Sequence, residues 1–348
     1  MISRSKSKML FRVDAQPEIG YGHLFRSLAL ANMLDEEFDI SFALGKADEA
    51  VRIMLSEADY GLILLKPFEY TFPDKRKNEE IAFDLSEHIY DFDLVVLDGY
   101  WFGSNYQSKL RAFDTKVVLI VDNGGGNYKA DILINPAEGL SHDNYTMDNI
   151  KAQKLLGSKY ALLREPFLRA ARETKAQDRK DFHVFICFGG SDFLNKTLEV
   201  TKWFIDNTSV NLRIVVGNSY PHIESLREFA LHHSDRMTIL KGLGQDEMVE
   251  EMKSASLGVV PASGILLESI ACRLPVISGV YAENQNRIYQ GFLDRKVFVP
   301  APQFKSSDLK SAWDEINEIG LKEILMNQIA LVDGKSGERI RKAIKSLC

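Results

Sequence analysis

Cysteine is scarce: the 348 residues hold three, Cys187, Cys272 and Cys348. An odd number without metal-type spacing argues against a disulfide framework and fits a reducing compartment. Long apolar runs are missing as well. No stretch reaches the roughly 18 residues that a spanning helix needs, so no membrane span is expected. Positive charge is in deficit, with 43 Lys and Arg against 49 Asp and Glu and a net charge of −6. That balance argues against binding nucleic-acid phosphates without regard to sequence. It leaves room for a local basic pocket that takes a small phosphorylated ligand. Short repeats and low-complexity tracts are absent too. What remains is ordinary for a globular chain, 45% hydrophobic and 26% charged, with each half long enough to bury its own core. The opening MISRSKSK is basic and Ser-rich, and a strand-like run follows at once. We read it as a short frayed arm rather than a targeting segment.

Two stretches alternate strand and helix patterns. In the first, strands are expected at 9–13, 39–44, 61–65, 93–98 and 116–121, with helices near 23–35, 47–58, 78–90 and 104–113. The run DLVVLD at 93–98 is continuously apolar inside, the mark of a strand covered on both faces. The regular pattern fades between about 135 and 180. In the second stretch, strands are expected at 182–187, 212–216, 237–240, 257–260 and 275–279. Helices are expected at 195–207, 221–233, 245–254, 264–272 and 283–292, and the region from 306 to 346 reads as helical. The division is therefore a first domain at 9–160, a connection at 161–181 and a second domain at 182–345. Such alternation implies an α/β class with two doubly wound parallel sheets. Ligands of these sheets lie outside the carboxyl ends of the strands, and for two facing domains in the cleft between them.

The loop after the first strand carries the sharpest signal. The strand ends at Asp14, Gly20 and Gly22 permit a tight turn, and His23 then opens an amphipathic helix. The positive end of that helix favours the neutral ring, and a neutral imidazole can accept a proton as a general base must. The first-turn N–H groups can also hold an anion. His88, His142, His183, His222, His232 and His233 lack such a context and are read as structural or solvated. The fourth strand runs into Asp98-Gly99-Tyr100-Trp101-Phe102, which serves equally as a cleft wall or an aromatic packing cluster. Asp122-Asn123-Gly124-Gly125-Gly126 follows the fifth strand and suits a mobile lining loop or a plain connector. In the second half, Gly189-Gly190-Ser191-Asp192 leads through Asn195 and Lys196 into a helix. Adjacent glycines there expose N–H groups to a diphosphate. Pro261-Ala262-Ser263-Gly264 is a second such turn. Glu268 lies one helical turn further on, where a carboxylate can accept two ribose hydroxyls or simply complement the helix start. Asn284 and Gln285 sit at a third strand-to-helix turn.

Taken in order, these motifs resemble a known family. They are R-x-D-A-x-x-x-I-G-x-G-H from Arg12 to His23, Arg26, Asp98 with Tyr100, Y-A-L-L-R-x-x-F from Tyr160 to Phe167, C-F-G-G-S-D from Cys187, A-S-x-x-x-x-E from Ala262, and Asn284-Gln285. The chain from about residue 9 to 300 is similar to the UDP-2,4-diacetamido-2,4,6-trideoxy-β-L-altropyranose hydrolases of pseudaminic acid biosynthesis. These share their fold with the lipid-II-forming N-acetylglucosaminyltransferase. The resemblance implies a GT-B fold of two Rossmann-like domains and hydrolysis of a UDP-sugar at its anomeric carbon. It implies His23 as catalytic base; Tyr100 and Asp14 are our candidates for orienting sugar or base, and Arg12, Gly20, Gly22, Arg26, Asp98 and Arg164 are expected on the sugar side. It places UDP on Gly189, Gly190, Ser191, Ser263, Gly264, Glu268, Asn284 and Gln285. No metal or cofactor is implied, and a cytoplasmic monomer is expected. The alternatives are a glycosyltransferase using the same donor site, a non-catalytic nucleotide-sugar-binding protein, and a UDP-N-acetylglucosamine epimerase-hydrolase.

Overall fold

Short, doubly covered apolar runs build both sheets. The computed structural model describes residues 6–15, 21–67, 81–122, 124–173, 181–190, 192–319 and 321–348, without the side chains of Asn284, Glu318 and Ile319. The first stretch folds as β1 (Ser7–Val13), α1 (Gly22–Leu34), β2 (Phe38–Leu44), α2 (Glu49–Glu57), β3 (Gly61–Leu64), β4 (Leu94–Asp98), α3 (Ser104–Arg111) and β5 (Lys116–Ile120). It continues as β6 (Asn127–Tyr128), β7 (Ile132–Asn135), β8 (Thr146–Met147) and β9 (Gln153–Leu156). Seven strands form one parallel sheet in the order β3-β2-β1-β4-β5-β7-β9, while β6 and β8 pair apart from it. All five residues of β4 are buried, as a central parallel strand requires. In register, Val13 lies opposite Asp98. The end of β4 therefore sits beside the strand that feeds α1.

The second stretch contains α4 (Glu165–Arg172), β10 (His183–Ile186), α5 (Lys196–Asn207), β11 (Asn211–Val216), α6 (Ile223–Leu231), β12 (Met237–Lys241) and α7 (Gln245–Ser254). Then come β13 (Leu257–Pro261), α8 (Gly264–Ala271), β14 (Val276–Gly279), α9 (Asn286–Leu293), β15 (Val299–Pro300), α10 (Ser306–Ile319), α11 (Lys322–Leu331) and α12 (Ser336–Lys345). Its six parallel strands run in the order β12-β11-β10-β13-β14-β15. Its core gathers Val184, Ile186, Phe204, Ile214, Val259 and Phe304, all at 2% exposure or less.

Three expectations are corrected. No helix spans the described part of 78–90. Residues 81–88 are irregular and a single 3-10 turn covers Ile89–Asp91. Ile81, Leu85 and Ile89 keep helical spacing, yet each plugs the core separately. Asp84 between them turns inward to accept from Arg12 and Tyr106, so a tertiary bond overrides local periodicity. The fading region after 135 is not patternless either, since β9 joins the main sheet. Four-residue strands leave too little alternation to read. Last, the chain divides into one unit of residues 1–136, 140–165 and 336–348 and another of 137–139 and 166–335. The C-terminal helix α12 thus belongs to the first unit, where the sequence division put it in the second. Gly337 lets α12 approach Met33, and Arg341 donates to the Met33 carbonyl at 3.0 Å. The last turn of α1 has no basic residue of its own, and Arg341 supplies one.

Candidate functional site

His23 stands in the first turn of α1, after Gly22 and an N-cap Tyr21 that makes no side-chain cap. Its Nδ1 lies 2.7 Å from Oδ1 of Asp98, at 11% and 1% side-chain exposure. The carboxylate favours the tautomer with the proton on Nδ1 and an acceptor lone pair on Nε2, and in that tautomer Arg26 Nη2, a donor only, lies 2.9 Å from the same nitrogen without a hydrogen bond to it. Asp98 also accepts from Arg26 Nε at 2.8 Å and from the Ser27 hydroxyl at 3.0 Å. Burial pushes the Asp98 carboxyl up, but Arg26 and His23 outweigh it and hold the pKa down at about 2. The other edge of the Arg26 guanidinium meets Asp122, just past β5. Asp122 is held below the carboxylate range by Arg26 against its own burial. Tyr100 donates its hydroxyl to Asp122 at 2.8 Å and meets the His23 ring edge-on, with centroids 4.9 Å apart. Burial first, and then Asp122, raise the Tyr100 phenol, so it remains a donor at neutral pH.

Arg12 and Asp14, expected on the sugar side and in orienting sugar or base, are joined in a buried ion-pair network. Arg12 is fully buried. It pairs with Asp14 at 2.8 Å and Asp84 at 2.9 Å, 5.1 Å above the Phe102 ring centre. Asp14 accepts in turn from the Gly45 backbone N–H. Together they lock the ends of β1 and β2. Gly20 lies outside the described residues, and Arg164 is half-buried just ahead of α4.

In the second unit the two expected anion turns differ. Asp192, buried and at φ +33°, accepts from the backbone N–H of Lys196 at 3.0 Å and of Thr197 at 2.7 Å. Its carboxylate thereby fills the start of α5 and leaves only the glycine N–H groups ahead of it open to an anion. By contrast, α8 has no side-chain cap and no acid in its first turn. Among the described residues, a Cβ at Gly22, Gly189, Gly190 or Gly264 would meet nothing within 4 Å. These glycines look onto open space, as a ligand-facing backbone should. A Cβ on Gly217, after β11, would lie 2.3 Å from the Gly190 carbonyl oxygen, so Gly217 is what lets the Gly189-Gly190 loop settle there. Ser263 and Glu268 are half-buried at the start and second turn of α8. Gln285 is buried and turns its carbonyl back onto the Tyr281 N–H at 3.0 Å, closing its own turn. Asn284 contributes backbone to the same turn, and Ser191 lies outside the described residues.

Asp122, Ser27, Asp192 and Gly217 contact these candidate residues; Asp122 and Asp192 were quoted only within their loops, and Ser27 and Gly217 were not named. An acid at the end of a parallel strand or just past it is the readable sign for Asp122, as it was for Asp98. The other three depend on tertiary neighbours. Among the described residues, no group of three or more His, Cys, Asp or Glu is placed to hold a metal ion. No helix there is long and apolar enough to cross a membrane.

Two Rossmann-like parallel sheets, each with its candidate residues at the carboxyl ends of the strands, define a protein of the GT-B fold. Over 283 residues the chain is 27% identical to the UDP-2,4-diacetamido-2,4,6-trideoxy-β-L-altropyranose hydrolase of Campylobacter jejuni, covering 80% of this chain and 93% of that one. It is 24% identical over 300 residues to an uncharacterized protein of Methanocaldococcus jannaschii, covering 83% of this chain and only 58% of that longer one. The crystal structure of Acinetobacter baumannii MurG matches with a TM-score of 0.63 over 98% of this chain and 99% of that one, at 14% identity. No protein-family model matches.

Proposed function

We propose that the chain is an enzyme of UDP-sugars, and specifically a hydrolase of UDP-2,4-diacetamido-2,4,6-trideoxy-β-L-altropyranose. Its products are UDP and 2,4-diacetamido-2,4,6-trideoxy-L-altrose, a step of pseudaminic acid synthesis in the cytoplasm, carried out by a monomer. The observation that carries this reading is the His23–Asp98 contact at 2.7 Å, which leaves Nε2 to accept a proton. It occurs in a chain with 27% identity to a hydrolase of that substrate.

The reaction balances as follows. Water gives a proton to Nε2 as its oxygen bonds the anomeric carbon. The bond from that carbon to the diphosphate oxygen breaks, and its electron pair leaves with UDP. Attack from the face opposite UDP inverts the centre. UDP is a good leaving group, so the charge on its phosphate oxygens needs preorganised N–H donors more than an acid or a metal. The open start of α8, with Ser263 and Gly264, and the Gly189-Gly190-Ser191 loop supply them. Glu268 takes the ribose hydroxyls, with Asn284 at the neighbouring turn. On the sugar side, Tyr100, Gly20, Gly22 and Arg164 contact the substrate, while Arg26 and Asp98 hold the base.

The test is proton NMR of the UDP-sugar with wild type and with His23→Ala, no acceptor added. Wild type should release UDP and free sugar. The variant should lose about 10²–10⁴-fold in rate and still bind UDP by calorimetric titration. An intact substrate with wild type that nevertheless binds UDP would overturn hydrolysis of this sugar and direct the search to acceptors, as for a glycosyltransferase.

A further inference from the structure

We propose that Asp122 is a positioning residue that leaves the His23 cluster one negative charge in surplus, so that the base takes its proton into a site already prepared for it. This rests on the hydrolase reading above and extends it to a residue that the motifs did not assign. Among the described residues, the charged and titratable groups against His23 come from three elements. Arg26 lies one turn along α1, with Nη2 2.9 Å from His23 Nδ1. Asp98 ends β4, and Tyr100 follows two residues later. Asp122 follows β5 and joins the group through Arg26 and the Tyr100 hydroxyl.

The charge count decides the role. One guanidinium is shared by two carboxylates, so the cluster carries −1 while the imidazole is neutral and 0 once it is protonated. Without Asp122 it would pass from 0 to +1 in a largely buried place. Asp98 alone suffices to fix the Nδ1 proton. The second carboxylate is redundant for geometry at His23 and is explained by the charge that forms there during the reaction. Its other contact holds the Tyr100 hydroxyl, and so holds that ring against the edge of the imidazole.

The measurement is the pH dependence of kcat and KM for wild type, Asp122→Asn and Asp122→Glu with the same UDP-sugar, beside their melting curves. Removing the negative charge disfavours the protonated ring. The acid limb of kcat/KM should therefore move down by about 1 pH unit. The Asn variant should lose about tenfold or more in kcat, with KM nearly unchanged, and Asp122→Glu should restore the limb. If Asp122→Asn does not fold, Asp122→Ser removes the same charge and carries the same profile. An acid limb that stays in place in the charge-removing variant, or a loss confined to KM and melting temperature, would overturn the role of Asp122 while leaving the hydrolase reading intact. Silence of the wild type would overturn both.

Discussion

Arg12 brings a permanent charge to a position with no solvent exposure, held by Asp14 just past the end of its own strand and by Asp84 across 72 residues of chain. Such a trio is costly to break from one side, because the carboxylates that remain lose their partner without regaining water. Arg12→Met should therefore cost about 3–5 kcal/mol in urea unfolding. A loss below about 1 kcal/mol would show that the trio behaves like an exposed ion pair. The same trio explains what was legible at this scale. His23 could be proposed from sequence because its cues are local: a strand end, two glycines and a helix start. Arg12 and Asp14 share that local setting, but their partner Asp84 was not legible, because it is a distant aspartate in a segment whose spacing imitates a helix. Asp122, proposed above as a positioning residue, was not picked out. Its position after a parallel strand was informative, and the three glycines beside it drew the attention.

At the scale of elements, helix starts and ends settle which loops can serve a ligand. α5 and α8 both follow a small-residue turn, and the sequence treats them alike. The structure separates them through one carboxylate, since Asp192 satisfies α5 and nothing comparable caps α8. Arg273 shows the reverse at helix ends. Its guanidinium donates to the carbonyls of Ile270, Gln328, Ala171 and Val332, which lie at the ends of α8, α11 and α4. That knot fixes the far end of the helix whose near end is open. The glycine loop depends on an equally specific neighbour. In Gly217→Ala the new Cβ would sit 2.3 Å from a backbone oxygen of Gly190, which cannot swing aside as a side chain could. The loop must shift instead. UDP affinity should fall at least about tenfold, the equivalent of 1.4 kcal/mol, with little change in melting temperature. Calorimetric titration beside a thermal melt checks this, and unchanged affinity would remove the Gly189-Gly190 loop from the nucleotide site. None of this neighbourhood was legible in advance, because strand order, not sequence distance, brings Gly217 to Gly190.

For the molecule as a whole, the strand–helix alternation was enough to read two doubly wound sheets, because most inner strands are short apolar runs with a helix after them. The return of α12 to the first unit was not. A polar-faced terminal helix carries no mark of which sheet it will cover, and the decision lies in contacts such as Lys345 with Glu37 at 2.8 Å. That return has a consequence in acid. Among the described residues, the four carboxylates held below their ordinary range, Glu37, Asp48, Asp98 and Asp122, all belong to the first unit. Lys345 lowers Glu37, the Tyr21 hydroxyl lowers Asp48, and Arg26 lowers the buried pair against their desolvation. A carboxylate depressed by folding lends stability that is complete above its unfolded value and is lost as pH falls through its folded one. For Asp98 that window runs from an ordinary 3.8 down to about 2, and the stability at stake is roughly 2 kcal/mol. The first unit should thus weaken before the second as pH drops from about 4 to about 2. The three tryptophans separate the signals, since Trp101 lies in the first unit and Trp203 and Trp313 in the second. Comparing acid titrations of wild type and Trp101→Phe by fluorescence should show the Trp101 signal changing at the higher pH. Coincident transitions would mean that the two units unfold together, and that the Arg26 cluster protects the whole chain rather than the unit that contains it.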